Sequence, residues 1–312
     1  MIRTVGDAND RFNEDALRML RALRFSAQLN FGIANDTYNA IVKNAALIAK
    51  ISKERIRDEL TKILLSDNPQ TLELFITSGL EKYALSDKEP LKAILMCEHQ
   101  NPWHYTDVFH HTMDVVKRAP KTFEGKWAAL FHDFGKPAVK KLKEGTANHY
   151  NYHGHPEISA DMALELMEIL KFSNEQKDLV YKFVKYHDKD LVECRNSTFK
   201  NVLVDIGVDN FPTFIKLRMA DAMAHCLIKD TCHAIRDIDK LYDRYRITLE
   251  KSQALTTADL AINGHDIIAN SNLQGKAIGD CLRWMLSIVL ETPEENTREK
   301  LLEYLKHFNE VV

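Results

Sequence analysis

Glycine and proline are scarce in this 312-residue chain, 11 and 8 residues in all. A sheet-rich fold with frequent tight turns needs more of both, so their shortage argues against a sandwich or barrel. Five cysteines (Cys97, Cys194, Cys226, Cys232, Cys281) are odd in number and form no C-x-x-C pair. A disulfide framework is therefore not expected, and reduced thiols in the cytoplasm are. No apolar run reaches the roughly 20 residues that cross a bilayer, so no membrane partner is expected. The net charge of −3 supplies no global attraction to nucleic acid, and any basic surface must be local. Period-two alternation is also missing. A 3.6-residue apolar period runs through most of the chain, predicting an all-α fold. Turn-rich punctuation near 66–69, 86–90, 119–125, 143–154 and 263–279 divides the chain coarsely into helical segments 1–88, 89–235 and 236–312.

The segment RFNEDALRMLRALRFSAQL (11–29) reads as one two-faced helix. Ala16, Met19, Leu20, Leu23 and Ala27 share the apolar face, while Arg11, Glu14, Asp15, Arg18, Arg21 and Phe25 share the other. A guanidinium fork beside a carboxylate makes an array of donors and acceptors able to read the edge of a base, as well as an ordinary solvated face of i,i+3 and i,i+4 ion pairs. The motif E-D-x-x-R followed by R-A-x-R-F (Glu14, Asp15, Arg18, Arg21, Ala22, Arg24, Phe25) resembles the neck of class II tRNA nucleotidyltransferases, the CCA-adding enzymes and related poly(A) polymerases. A second element of that family, E-R-I-x-x-E-L, is matched by Glu54, Arg55, Ile56, Glu59 and Leu60, and the segment from Ala261 onward is similar to its tRNA-contacting tail. The resemblance runs over essentially the whole chain. It implies a nucleotide-binding role for Glu14, Asp15, Arg18 and Arg21, with Asp15 and Arg18 as the amino-acid template that pairs with incoming CTP or ATP. In the family, polymerase chemistry belongs to a head domain with a Gly-Ser loop and a D-x-D metal pair. Here the only D-x-D strings are Asp188–Asp190 and Asp237–Asp239, neither after a Gly-Ser turn. Nucleotide addition is not expected of this chain alone, and a head supplied as a separate chain is one expected partner, beside tRNA or other RNA and nucleotides.

The stretch AALFHDFGKPAVKK (128–141) ends an apolar run on His132 and Asp133. In DVFHHTMDVVKR, His111 shares an inward face with Val108 and Val115, whereas His110 lies with Asp114 on another. Asp221 falls on a helix among Leu217, Ala220 and Ala224, an improbable place for an unpaired carboxylate. His111, His132, Asp133 and Asp221 resemble the H…HD…D signature of the HD phosphohydrolase superfamily. That resemblance adds His155 and His187 as ligands of a second ion, with two divalent metals about 3.5–4 Å apart bridged through Asp133. It also points to Asp133 and Lys136 as catalytic residues, Lys136 neutralising substrate phosphate. Histidine and aspartate accept Mn, Fe, Co, Ni, Zn or Mg alike. His225, Cys226, Cys232 and His233 mimic zinc ligands only loosely, and helical spacing accounts for them.

Two functions follow as expectations. The first is a metal-dependent phosphohydrolase acting on nucleotide or RNA phosphate esters, within a CCA-adding homologue that lacks its head. The second is the tRNA-binding neck, body and tail of a CCA-adding enzyme or poly(A) polymerase. Among the features weighed, the HD-type helical domain between neck and tail carries the first, and the E-D-x-x-R motif carries the second.

Overall fold

The computed structural model describes residues 1–85, 89–98, 107–146, 150–224, 228–251 and 254–311. The chain is helical almost throughout, as its periodicity requires. In order come α1 (Ala8–Glu14), α2 (Leu17–Leu29), α3 (Asn35–Asn44), α4 (Lys53–Leu64), α5 (Leu72–Thr77), α6 (Leu80–Ala84), α7 (Pro90–Leu95), α8 (Val108–Arg118), α9 (Phe123–Phe131) and α10 (Lys136–Val139). A hairpin of β1 (Lys141–Leu142) and β2 (Tyr150–Asn151) follows, antiparallel with Lys141 opposite Asn151. Strands of two residues are too short to leave a period-two trace in sequence. Then come α11 (His155–Ile169), α12 (Asn174–Tyr186), α13 (Asn196–Ile206), α14 (Phe211–Ala224), α15 (Ile228–Lys251), α16 (Gly264–Asn270), α17 (Lys276–Glu291) and α18 (Arg298–Val311). None of the described helices is long and apolar enough to cross a membrane.

The helices begin where side chains can satisfy orphan backbone donors. Asp7, Asp107 and Thr122 accept from N–H groups in the first turns of α1, α8 and α9. Ser173 and Gln176 form a reciprocal capping box on α12, as Asn263 and Asp266 do on α16. The expected single helix over 11–29 is broken. Asp15 is extended (φ −147°, ψ 103°) and its Oδ1 accepts the Leu17 N–H at 3.0 Å, which ends α1 and starts α2. A short acidic side chain that competes for backbone donors explains the break, and a hydrophobic period cannot show it. The predicted face survives: Ala16, Met19, Leu20, Leu23 and Ala27 are all buried.

By contact density the chain forms two units, one of residues 1–188 with 213–236, the other of 189–212 with 237–312. The first contains a core around Phe12, Leu20, Ile56, Ile63 and Phe75 and an aromatic cluster of Phe123, Trp127, Phe131, Phe134 and Phe172. Burying each such ring contributes roughly 1.5–3 kcal/mol. Trp127 keeps its indole N–H satisfied by donating to Thr61 Oγ1 on α4 at 3.0 Å. Lys126 is fully buried, and its ammonium donates to the carbonyls of Val116 and Lys117 at the end of α8. Burial lowers that amine to about 8. In the second unit, Phe199 packs edge-on to Phe211, which stacks on Tyr245. Cys281, Met285, Val289, Leu301 and Leu305 form the buried seam of α17 and α18.

Candidate functional site

The two motif helices meet through their charges. Arg24 of α2 donates from Nε to Glu59 Oε2 on α4 at 2.6 Å, with both side chains largely buried and Lys62 at 3.1 Å from the other Glu59 oxygen. Arg55 of α4 reaches back to Asp15 Oδ2 at 3.2 Å. With its other oxygen on the Leu17 N–H, Asp15 is held at both ends. Arg18 is held from the far side: its Nη1 donates to Glu14 Oε2 at 2.6 Å and to the Arg11 carbonyl at 3.1 Å. Glu14 is clasped in turn by Arg11 at 2.8 Å, and the two guanidinium groups hold its carboxyl below the usual range. Asp15 and Arg18 are thus partly exposed and separately braced, and Arg21 is exposed beside them. The sequence motifs name these residues; the cross-links between α2 and α4 become visible only in the fold.

The second constellation is buried. α8 contributes His111, the end of α9 His132 and Asp133, the start of α11 His155, the end of α12 His187 and α14 Asp221. His111, His132, Asp133, His155 and His187 are each at most 6% exposed. His110, its neighbour, is exposed and pairs with Asp107 at 2.7 Å, not with Asp114, because Asp107 caps the same helix turn. Asp133 sits at the centre. Its Oδ2 lies 3.7 Å from His111 Nε2, 3.2 Å from His132 Nε2 and 2.7 Å from Lys136 Nζ. Its Oδ1 lies 3.3 Å from His155 Nε2 and 3.9 Å from His187 Nε2. Asp221 Oδ1 lies 3.0 Å from His111 Nε2 and 3.8 Å from His132 Nε2. Asp188 is exposed as a residue, but its carboxyl lies near enough to the cluster that burial raises it, against the pull of His155. His153 is also exposed, while His149, His225 and Cys226 lie outside the described residues.

Three of the four histidines share one local device. The Nδ1 atoms of His132, His155 and His187 lie 2.7–2.9 Å from carbonyls three residues upstream, of Ala129, Tyr152 and Val184. Donation from Nδ1 leaves each Nε2 a lone pair directed inward, the form that ligates a cation. His155 Nε2 and His187 Nε2 then face one another at 3.1 Å, a repulsive contact unless a proton or a cation lies between them. His132 Nε2 and both Asp133 oxygens are buried without a well-formed hydrogen bond. Two groups of donors, His111–His132–Asp133 and Asp133–His155–His187, bring ligand atoms within 4.8 Å of each other and share the aspartate. Buried nitrogen and carboxylate donors with unsatisfied lone pairs fit a divalent metal, or two with Asp133 between them.

The charges within the cluster follow its packing. Burial lowers His111, against the pull of Asp221 and Asp133. Burial also opposes the charged form of His132, but the Asp133 and Asp221 carboxylates outweigh it and raise this histidine. Asp133 is held well below the usual carboxylate range, since His132 and Lys136 overcome its desolvation. His187 is pushed down to about 3 by burial and by the neighbouring His132 and His155. Lys136 is buried against Asp133, so its ammonium neutralises the cluster's own carboxylate; Tyr152 packs 5.5 Å from it. Sequence reading missed Ser159, whose hydroxyl accepts the Gly135 N–H at 2.8 Å. A Cβ on Gly135 would lie 2.6 Å from the His155 carbonyl, so the glycine after His132–Asp133 is what lets α9 and α11 approach.

Residues 30–90 match the family described as the probable RNA- and SrmB-binding site of polymerase A, and residues 156–305 match tRNA nucleotidyltransferase domain 2. The chain is 34% identical over 209 residues to the CCA-adding enzyme of Lactiplantibacillus plantarum, covering 61% of this chain and 50% of that one. It is 29% identical over 309 residues to the CCA-adding enzyme of Lactobacillus delbrueckii subsp. bulgaricus, covering 98% and 63%, and 29% identical over 292 residues to the CC-adding tRNA nucleotidyltransferase of Thermus thermophilus, covering 89% and 63%. The crystal structure of the Bacillus stearothermophilus CCA-adding enzyme in complex with CTP superposes over 99% of this chain and 66% of that one, with a TM-score of 0.60 at 24% identity. These relatives overturn the expectation of an HD-type phosphohydrolase: over most of the chain they are nucleotidyltransferases. The physical reason is that a set of inward-facing ligands fixes what a cavity can hold, and not which reaction, if any, takes place there. In each of these alignments the chain spans less than two-thirds of its relative's length. The chain is thus similar to CCA-adding tRNA nucleotidyltransferases over most of its length, and it shares the helical fold of the part of the Bacillus stearothermophilus enzyme that it covers.

Proposed function

We propose that this chain is the tRNA-binding and nucleotide-selecting helical portion of a CCA-adding enzyme, working with a nucleotidyltransferase head. The observation that carries this reading is the bracing of Asp15 by Arg55 and Leu17 and of Arg18 by Glu14 and Arg11. A template that reads a base edge must present its acceptor and donors in fixed positions, since each misplaced hydrogen bond loses discrimination. Asp15 supplies acceptors only and Arg18 donors only. Cytosine and adenine each offer an exocyclic amine as donor and a ring nitrogen as acceptor, so one acidic and one basic side chain are matched to both. The test supplies a separately expressed nucleotidyltransferase head, CTP, ATP and tRNA lacking its terminal CCA. The expected result is CCA addition that depends on this chain, with Asp15→Ala and Arg18→Ala losing preference for CTP and ATP over UTP and GTP. Unchanged selectivity in both variants contradicts the template role.

A second role rests on a different observation. His132, Asp133 and their neighbours have buried lone pairs directed at common points, and they support a divalent metal held by His111, His132, Asp133 and Asp221, with His155 and His187 as ligands of a second. Bound there, a cation supplies positive charge that satisfies the inward lone pairs and ties together α8, α9, α11, α12 and α14. This chain's own contribution is orientation: three backbone carbonyls fix the histidine tautomers and Lys136 balances Asp133. In this role the metal is a structural clip.

A further inference from the structure

The unit formed by residues 189–212 and 237–312 contains a cleft of about 530 Å³ lined by Asn196, Phe199, Lys200, Lys240, Asp243, Arg244, Ile247 and Thr248. That volume lies within the range of small-ligand sites. Arg244 is its most constrained side chain. Nη1 donates to the Leu191 and Val192 carbonyls, both at 2.8 Å, and Nη2 donates to the Cys194 carbonyl at 2.7 Å and Asn196 Oδ1 at 2.9 Å. The guanidinium carbon lies 4.6 Å from the centre of the Phe199 ring. With its terminal in-plane donors committed to the loop, this guanidinium cannot fork a phosphate. Five neighbours hold this planar cation rigid, Phe199 against one of its faces, and the side chain remains partly exposed on the cleft.

The rest of the lining completes a chemical description. Ile247 is 43% exposed, an apolar side chain left on the wall of a charged cleft. Thr248 and Asn196 bring polar groups suited to a sugar. Lys200, which donates to the Leu290 carbonyl, and Lys240, which pairs with Asp237 at 2.9 Å, add ammonium charge, and Asp243 is the carboxylate among the lining residues. A bare phosphate would use neither the guanidinium face nor Ile247. A duplex presents phosphates, sugars and groove edges but keeps its base faces stacked, so it cannot lay a base face on the guanidinium. An unpaired nucleotide has every feature the cleft addresses: a π-face for a planar cation, an edge to lie on an apolar side chain, hydroxyls and an anion.

We infer that this cleft binds an unpaired nucleotide of single-stranded RNA, its base on the Arg244 guanidinium and Ile247 and its phosphate beside Lys200 and Lys240. The inference deepens the RNA-binding reading above and rests on it for the class of ligand. The test uses the full chain, a fluorescein-labelled ten-nucleotide oligouridylate, a blunt RNA hairpin and a tRNA lacking CCA. Ile247→Asp and Lys240→Glu change exposed side chains, and circular dichroism verifies that both fold. The expected result is that each variant loses about tenfold or more in oligouridylate affinity, the scale of one stacked base, while hairpin affinity changes far less. Wild-type oligouridylate affinity in both variants overturns the inference, as does equal loss for oligouridylate and hairpin. If tRNA fails to bind while oligouridylate binds and responds to both variants, the cleft stands and the tRNA reading falls.

Discussion

Removing Glu59 is the perturbation that separates the structural charges of the motif helices from those proposed to read a nucleotide. In Glu59→Ala, Arg24 keeps its contact with Gln28 Oε1 at 2.7 Å but loses the carboxylate at 2.6 Å in a setting where its side chain is 14% exposed. Leaving a buried charge without its partner costs about 3–5 kcal/mol. The Gln28 contact puts the expected loss near the lower end, about 3 kcal/mol. Arg24→Met is expected to cost less, about 1.5–2 kcal/mol, because Lys62 stays 3.1 Å from Glu59. Urea unfolding followed by circular dichroism at 222 nm reads these losses as midpoint shifts, and a slope of roughly 1–3 kcal/mol per molar urea makes the larger one about 1 M or more. Arg18→Ala, at the exposed end of the same helix, should leave the midpoint unmoved, since exposed pairs contribute little to stability. A Glu59→Ala midpoint at the wild-type value, or an Arg18→Ala shift as large as that of Glu59→Ala, refutes the division of the motif into a buried clamp and an exposed template.

Other perturbations probe other parts of the account. Glu81 is buried and accepts the Leu91 and Lys92 N–H groups, and desolvation outweighs these bonds to raise it from 4.5 to about 7. An acid raised on folding stabilises fully below its unfolded value and loses that contribution as pH rises through its folded value, so stability should fall by about 3 kcal/mol between pH 4.5 and pH 7.5. Glu81→Gln should remove that slope from urea midpoints measured across the interval, and an unchanged slope contradicts it. Gly135→Ala places a methyl group against the His155 carbonyl and should cost about 1–3 kcal/mol through a forced backbone shift, visible as a lower thermal midpoint. A stable Ala variant speaks against the close approach of α9 and α11. Titration with Mn²⁺ or Zn²⁺ should raise the thermal midpoint of the wild type, by about 2.7 kcal/mol of stabilisation at a hundredfold excess over Kd. That rise should vanish in Asp133→Ala and persist in His110→Ala; an equal rise in Asp133→Ala rules out the aspartate as a ligand.

Much of this was legible in the sequence, for identifiable reasons. The 3.6-residue period exposed the helical class and the buried face of α2, and it separated His111 from His110 because one lies on an apolar stripe and the other does not. The break at Asp15 was illegible, since it depends on one side-chain oxygen reaching the Leu17 N–H. The clamp of Arg24 on Glu59 joins residues 35 apart in the chain, a pairing that no local pattern encodes. The tautomers of His132, His155 and His187 are set by backbone carbonyls, which leave no residue-type signal. Arg244 was passed over because a basic residue in a charged helix reads as solvated surface until its loop partners at Leu191, Val192 and Cys194 are known. The hydrolase expectation failed for another reason: the residues it named do converge, but convergence of ligands is shared by catalytic and structural metal sites.

The central claim is that this helical chain engages tRNA, and fluorescence anisotropy of a labelled tRNA lacking its CCA end tests it most directly. The account predicts saturable binding at about 50 mM salt that weakens steeply toward about 200 mM as counterions are released, with unlabelled tRNA competing and double-stranded DNA of equal length competing poorly. No binding at low salt, or equal competition by the DNA, contradicts it.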